Sequence, residues 1–212
     1  MNLDFSAALK APASVQGWFV KILIGGILMC IPIANFIVFG YLIRYIKNVI
    51  DKNDTLPEYS DMGELFVTGF KGLIGIILLS IPLILIMLIV GLLLSKSSSM
   101  VMIVNYLIEI VYGFITMIMI ANFALDKKIL SMIGFNRAAL LFKNNPNIGS
   151  LILYLIAANI IYGIVATVCA ITVIGIILIP FIIFAMMITL YNLVAQFVQN
   201  APSLEEAKAQ AA

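Results

Sequence analysis

Apolar residues dominate long stretches of the chain, and short polar segments separate these stretches. A helix needs about 20 consecutive apolar residues to cross about 30 Å of hydrocarbon. Five stretches meet this length, and we predict that each forms a membrane-spanning helix. Their approximate ranges are 18–43, 70–94, 100–124, 149–172 and 176–198. The predicted fold class is therefore an all-α polytopic transmembrane helical bundle.

The last two spans come from one uncharged run. Residues 148–195 are 48 residues without an Asp, Glu, Lys or Arg. One straight helix of this length would measure about 72 Å, more than twice the thickness of the hydrocarbon core. The run must therefore fold back, and the turn is predicted at Thr172 to Gly175, since glycine tolerates the dihedrals that end a helix.

The segments outside the spans have distinct characters. Residues 1–17 form an N-terminal extension before a single transmembrane domain over 18–199, and residues 200–212 form a polar tail. The acidic loop at 47–64 lacks the ligand spacing of an EF-hand, so we expect it to be solvated. Residues 129–143 have an amphipathic pattern that predicts an interfacial helix. Its apolar face contacts either lipid tails or the underside of the bundle.

Basic residues set the predicted orientation of the bundle. Five spans place nine of the twelve basic residues on one side of the membrane, and Lys10, Lys21 and Lys96 on the other. The positive-inside rule makes the nine-residue side cytoplasmic, with the N-terminus outside and the C-terminus inside. If the first segment instead dips in and returns at Pro32, the N-terminus changes sides.

A twelve-residue pattern occurs at 21–32 and again at 71–82, with eight identical positions, and a shorter echo occurs at 174–180. Glycine lets a neighbouring helix come close. Proline removes the donor for the carbonyl four residues earlier. We therefore predict a kink in each of these helices. The positions concerned are Gly25, Pro32, Gly75, Pro82, Gly175 and Pro180.

Composition excludes several classes of protein. Hydrophobic residues make up 64% of the chain and charged residues 10%, against about 45–50% and about 25% in soluble domains. The chain has no histidine, which removes Ser-His-Asp catalysis and His-ligated metals. It has no phosphate-binding glycine loop and no large basic cluster. We predict no catalysis, no cofactor, no metal and no nucleic-acid partner.

One acidic residue, Glu109, lies inside a predicted span. A carboxylate at the helix centre costs at least about 2.5–3 kcal/mol on insertion scales, so we expect it to face protein or water. Asn105, Tyr112 and Thr116 share its helical face and complete a polar intramembrane stripe. Glu109 is then either part of a polar pathway or a structural clamp between helices. Partners on neighbouring helices are predicted at Asn35, Asn159 and Thr167.

A set of short motifs resembles one prokaryotic, mainly archaeal family. It is family four thousand and thirteen of the domains of unknown function. The motifs are Trp18-Phe-Val-Lys21, Gly25-Gly26, Ile31-Pro32, Gly40-Tyr41-Leu-Ile-Arg44, Leu56-Pro57-Glu58-Tyr59, Gly63-Glu-Leu-Phe66, Gly69 and Ile179-Pro180-Phe181 with Phe184. The family usually has tryptophan after the Pro-Glu pair, where this chain has Tyr59. The resemblance implies a multi-spanning membrane protein and brings no activity or ligand.

These observations favour a non-catalytic, membrane-organising or accessory scaffold protein in the cell membrane. Its predicted partners are membrane lipids and either a second copy of the chain or another membrane protein. The alternative is a small carrier or an oligomeric pore that uses the polar stripe around Glu109. A transporter normally has more polar residues near the bilayer midplane, which is why we prefer the first hypothesis.

Overall fold

The computed structural model describes residues 2–93 and 98–209. Within these ranges the chain is helical and contains no strand. The helices are α1 (Phe5–Lys10), α2 (Trp18–Met29), α3 (Asn35–Ile50), α4 (Met62–Leu93), α5 (Ser98–Asp126), α6 (Phe135–Phe142), α7 (Ile148–Ala170), α8 (Val173–Gln199) and α9 (Leu204–Ala209). Short 3-10 turns occupy Ala11–Ala13 and Ile129–Ile133.

Four of the described helices are long and apolar enough to cross a membrane, which confirms the predicted fold class. The segments that pass this test are Met62–Leu93, Ser99–Asp126, Ile148–Ala170 and Gly175–Gln199. A fifth crossing exists only if Phe5–Ala13 and Trp18–Met29, which meet at 82°, are counted as one span. The predicted fold-back is present, because α7 ends at Ala170 and the Thr172 hydroxyl accepts a hydrogen bond from the first turn of α8.

The first predicted span, over 18–43, is wrong because the chain reverses direction inside it. α2 ends at Met29, and α3 begins at Asn35. Pro32 lies in the turn between them and therefore does not kink a continuous helix as predicted. The start of α2 lies beside the loop that follows α3, where Lys21 donates a hydrogen bond. The two helices form a hairpin that enters and leaves at one end of the bundle.

Contacts with the loop after α3 fix this hairpin. Lys21 Nζ donates to the Leu56 carbonyl at 2.8 Å and pairs with Glu58 at 2.6 Å. Tyr59 donates its hydroxyl to the Lys21 carbonyl at 3.3 Å. Its ring stacks on Tyr41 of α3, with the centroids 4.4 Å apart. Burial raises the pKa of Tyr59, so the phenol stays protonated and remains a donor.

The described segments nearest the two termini, α1 and α9, lie at one end of the bundle, where α4 begins and where α5 and α8 end; we call it the basal end. Lys127 after α5 pairs with Glu64 in the first turn of α4 at 2.6 Å. The backbone N–H of Asp4 donates to Gln196 Oε1 near the end of α8 at 2.7 Å. The sequence-based prediction placed the N-terminus outside and the C-terminus inside, whereas in this fold Asp4 and the end of α8 are neighbours; the side of the membrane that they face stays a prediction.

The acidic loop is shorter than the predicted 47–64, because α3 continues to Ile50 and α4 begins at Met62. Several carboxylates of this region are ion-paired rather than only solvated. Asp51, for example, pairs with Lys47 at 2.8 Å.

The described parts of the N-terminal extension and of the polar tail, residues 2–17 and 200–209, both pack on the bundle, outside the domain predicted over 18–199. Phe5 of α1 stacks on Tyr154 of α7, with the ring centroids 5.0 Å apart. α9 occupies Leu204–Ala209 within the tail, and two of its apolar side chains are buried.

The segment predicted as one interfacial helix over 129–143 forms two pieces, the 3-10 turn and α6. Met132 lies against Gly75 of α4, where there is no room for a Cβ. Arg137, one of the polar residues of this amphipathic pattern, is buried. The segment therefore packs on the underside of the bundle, which was the second of the two predicted arrangements, because the Met132 and Arg137 side chains both contact the bundle there.

The packed core lies toward the basal end, and the remote parts of the spans are thinly covered. α3 and α4 make a close backbone contact there, since a Cβ on Gly40 would run into the Leu65 carbonyl and one on Gly69 into the Phe36 carbonyl. By contrast, the most apolar windows of α4, α5 and α7 are only 11%, 17% and 17% buried. Lipid or another protein must cover the rest of these helices.

We expect Gly40→Ala to destabilise the protein by roughly 1–3 kcal/mol, because the added methyl meets rigid backbone of α4. Gly113→Ala in α5 is the matched control, since a Cβ there meets nothing within 4 Å. The measurement is the free energy of unfolding in mixed micelles. Equal stability of the two variants would contradict the contact between α3 and α4.

We expect cysteines introduced at Ser6 and Glu206 to react with a membrane-impermeant thiol reagent from the same side of the membrane. A cysteine at Ser99, at the start of α5, should react from the opposite side. The background for these variants replaces the native Cys30 and Cys169 with alanine. Labelling of Ser6→Cys and Glu206→Cys from opposite sides would restore the five-span topology.

Candidate functional site

The polar stripe predicted on α5 lies along one helix, but the described part of the chain does not enclose Glu109. Asn105, Tyr112 and Thr116 are half-buried, whereas Glu109 is exposed. Tyr112 forms a 2.7 Å hydrogen bond with Ser80 of α4, and it is the donor because the Ser80 hydroxyl donates to a carbonyl of its own helix. The Asn105 Oδ1 and Thr116 Oγ1 atoms are buried without a hydrogen-bond partner among the described residues.

The partners predicted for Glu109 lie elsewhere. Asn35 is exposed at the tip of the α2–α3 hairpin. Asn159 and Thr167 are also exposed, and each donates to a carbonyl four residues earlier in α7, at 2.8 Å. In the described part of the chain Glu109 has no hydrogen bond and no ion pair. The helices of a single chain thus bring together Tyr112 and Ser80, but not the predicted constellation.

The predicted glycine positions serve close packing rather than a cavity. A Cβ on Gly25 would enter the ring of Phe184 in α8, and one on Gly75 would enter Met132. Gly175 lies against the Cys169 carbonyl at the turn between α7 and α8.

The two copies of the repeated pattern have different structures. Pro32 lies in a turn, whereas α4 and α8 remain helical through Pro82 and Pro180. Lys21 is buried and hydrogen-bonded, whereas Lys71 is exposed. The same sequence pattern therefore has a different local structure and a different environment in its two copies.

A buried polar network at the basal end was not among the sites predicted from the sequence. Arg137 of α6 donates from Nε to Asn122 Oδ1 at 2.6 Å and from Nη2 to the Asn122 carbonyl at 2.9 Å. Its Nη1 pairs with Asp126 at 2.7 Å, and the two side chains are 9% and 5% exposed. Ser131 donates its hydroxyl to the same carboxylate at 2.8 Å. The spacing of Asn122 and Asp126, four residues apart on one helix face, was the signal that could have suggested a shared partner.

Next to this network lies an open groove of about 730 Å³, which we call the basal groove. Four basic residues line it with a single acidic one, Asp126. The other lining residues are Ile129, Leu130, Ser131, Gly134 and Asn136, and the basic ones are Lys71, Lys127, Lys128 and Arg137. Because Arg137, Ser131 and the Lys128 N–H already occupy the Asp126 carboxylate, the groove presents positive charge. Such a surface binds anions such as phosphate.

Four membrane-crossing helices, a hairpin that enters and leaves at one end, and an ion-paired basal end define a multi-spanning all-α membrane protein. The chain belongs to the family described as protein of unknown function (DUF4013), whose model matches residues 24–174. This confirms the resemblance noted from the sequence motifs.

One relative is the uncharacterized protein MJ1189 of Methanocaldococcus jannaschii, 43% identical over 49 residues. The matched stretch is 23% of this chain and 17% of that protein, so most of the relative's length lies outside the match. No solved structure matches the chain.

We expect Arg137→Ala to cost about 3–5 kcal/mol of unfolding free energy, because it leaves the Asp126 charge buried and unpaired. Lys47→Ala breaks a more exposed pair with Asp51, and such pairs contribute only about 0.3–0.5 kcal/mol. Unfolding of both variants in mixed micelles measures the difference. Losses of equal size would show that the buried network does not stabilise the basal end.

Proposed function

We propose that this protein is a non-catalytic membrane-organising or accessory component, which binds membrane lipids and assembles with a second copy of itself or another membrane protein. The observation that carries the proposal is the separation of polar and apolar surface. Charged side chains gather at the basal end, while the remote parts of α4, α5 and α7 are apolar and thinly covered by the chain itself. Lipids or partner helices are suited to cover such surfaces.

We further propose that the basal end faces the cytoplasm. Lys10 and Lys21, assigned to the other side in a five-span topology, join the remaining basic residues at this end, since α1 and the start of α2 lie there. Lys96 is outside the described residues. The positive-inside rule favours this orientation, and it places both termini in the cytoplasm.

The alternative, a small carrier or oligomeric pore, is favoured by one observation. Glu109 is exposed on a spanning helix and has no hydrogen bond or ion pair among the described residues. Leaving it in lipid costs at least about 2.5 kcal/mol, so a contact between copies of the chain would stabilise it. In a ring of copies, Glu109 and Asn105 would lie near a shared axis or subunit contact.

A particle-mass measurement in lipid nanodiscs, combined with ion flux into proteoliposomes, tests the proposal. We expect a mass above the 23.2 kDa of one chain, and no proton or cation flux that depends on Glu109. The variant is Glu109→Gln, and Glu206→Gln in the tail is its control. A flux that Glu109→Gln abolishes and Glu206→Gln preserves would overturn the accessory role in favour of a carrier or pore.

A further inference from the structure

The basal groove lies at the depth of the lipid headgroups. Lys71 is the last charged residue of α4, and the uncharged helix continues from it to Leu93. These 22 residues measure about 33 Å, close to the roughly 30 Å thickness of the hydrocarbon core. Lys71 therefore lies near the boundary between hydrocarbon and headgroups. A groove at this depth meets lipid headgroups before it meets large soluble partners.

Lys71 is the groove residue with the most freedom to bind a ligand. It is exposed, and within residues 2–93 and 98–209 it has no hydrogen bond or ion pair. Arg137 is committed to Asn122 and Asp126, and Lys127 pairs with Glu64. The flexible ammonium group of Lys71 can therefore turn toward an anion, and the paired residues keep the groove in shape.

An apolar crevice of about 480 Å³ lies between α4 and α5, and the first residue of α6 also lines it. Gly134 lines the groove and Phe135, the next residue, lines the crevice. The side chain of Leu130 is 73% exposed and that of Phe135 is 53% exposed, so apolar surface extends from the groove. Leu79, Pro82, Ile86, Leu107 and Val111 line the crevice further into the span.

We propose that the basal groove and the apolar crevice together bind one anionic phospholipid. Its phosphate lies against Lys71 and Lys128 in the groove, and an acyl chain lies in the crevice between α4 and α5. The positive charge selects an anionic headgroup over a zwitterionic one, and the crevice selects a lipid over a free anion. This proposal rests on the proposed function, because it names the class of lipid that a membrane-organising protein of this kind would bind.

Native mass spectrometry of the full chain in detergent tests this assignment. The probes are dioleoyl phosphatidylglycerol, dioleoyl phosphatidylcholine with the same chains, and glycerol 1-phosphate, which has no chains. We expect phosphatidylglycerol to bind at least about tenfold more tightly than phosphatidylcholine. Glycerol 1-phosphate should bind more weakly than phosphatidylglycerol, because it cannot bury apolar area in the crevice.

Paired variants separate the groove from general surface charge. Each basic residue near an anionic surface contributes roughly a fivefold change in affinity, so Lys71→Gln with Lys128→Gln should weaken phosphatidylglycerol binding by roughly 25-fold. Lys52→Gln with Lys143→Gln removes the same charge at the basal end outside the groove and should keep the preference. Lys71→Gln alone breaks no side-chain hydrogen bond or ion pair within the described ranges. If the double variant unfolds, this single variant still tests the groove, because it should weaken phosphatidylglycerol binding roughly fivefold.

Three results would overturn the inference. The first is equal binding of phosphatidylglycerol and phosphatidylcholine, and the second is an equal loss in the Lys52→Gln, Lys143→Gln control. The third is glycerol 1-phosphate binding as tightly as the lipid, which would mark a site for free anions. A lost lipid preference with an unchanged particle mass rejects this inference and leaves the proposed function intact. A single-chain particle that still prefers the anionic lipid supports this inference and rejects the assembly that the proposed function requires.

Discussion

The cost of placing charge in hydrocarbon governs the arrangement of this protein. Charged side chains are costly at the bilayer centre unless they are paired or reach water. Here the Asp, Glu, Lys and Arg side chains of the described residues lie at the basal end, with Glu109 as the exception, and many are joined in ion pairs. The same end holds the large buried side chains, including Tyr41, Tyr45 and Phe197. The molecule is therefore polar and well packed at one end, and its long helices are apolar and thinly covered by the chain elsewhere.

Close backbone contacts give the basal end its shape. Gly40 and Gly69 bring α3 and α4 together, and Gly25 receives the Phe184 ring of α8. Helices in a membrane lack a hydrophobic force that drives them together, so dispersion contacts of this kind supply much of their association energy. The α2–α3 hairpin docks on the bundle through these contacts. Its position brings the N-terminus beside the end of α8.

The basal groove and Glu109 differ in how their charged side chains are stabilised. In the groove, the buried Arg137–Asp126 pair and its amide and hydroxyl partners are internally satisfied. That arrangement leaves Lys71, whose side chain has no hydrogen bond or ion pair within the described ranges, available to an external anion. The Glu109 side chain has no such partner among the described residues of its own chain. Both features are suited to contact with lipids or neighbouring subunits rather than to an enclosed active site.

The sequence by itself determined the all-helical class, the crossings after residue 62 and the turn near Thr172, because hydrocarbon thickness requires a fixed length of uncharged helix. It did not determine the first segment. The apolar run over 18–43 is long enough to span, and only the contacts of Lys21 and Tyr59 with their neighbours fix its return. The basal groove likewise depends on tertiary structure, because Lys71 and Arg137 come from distant helices. Periodicity places residues on one helix face, whereas packing decides which faces meet.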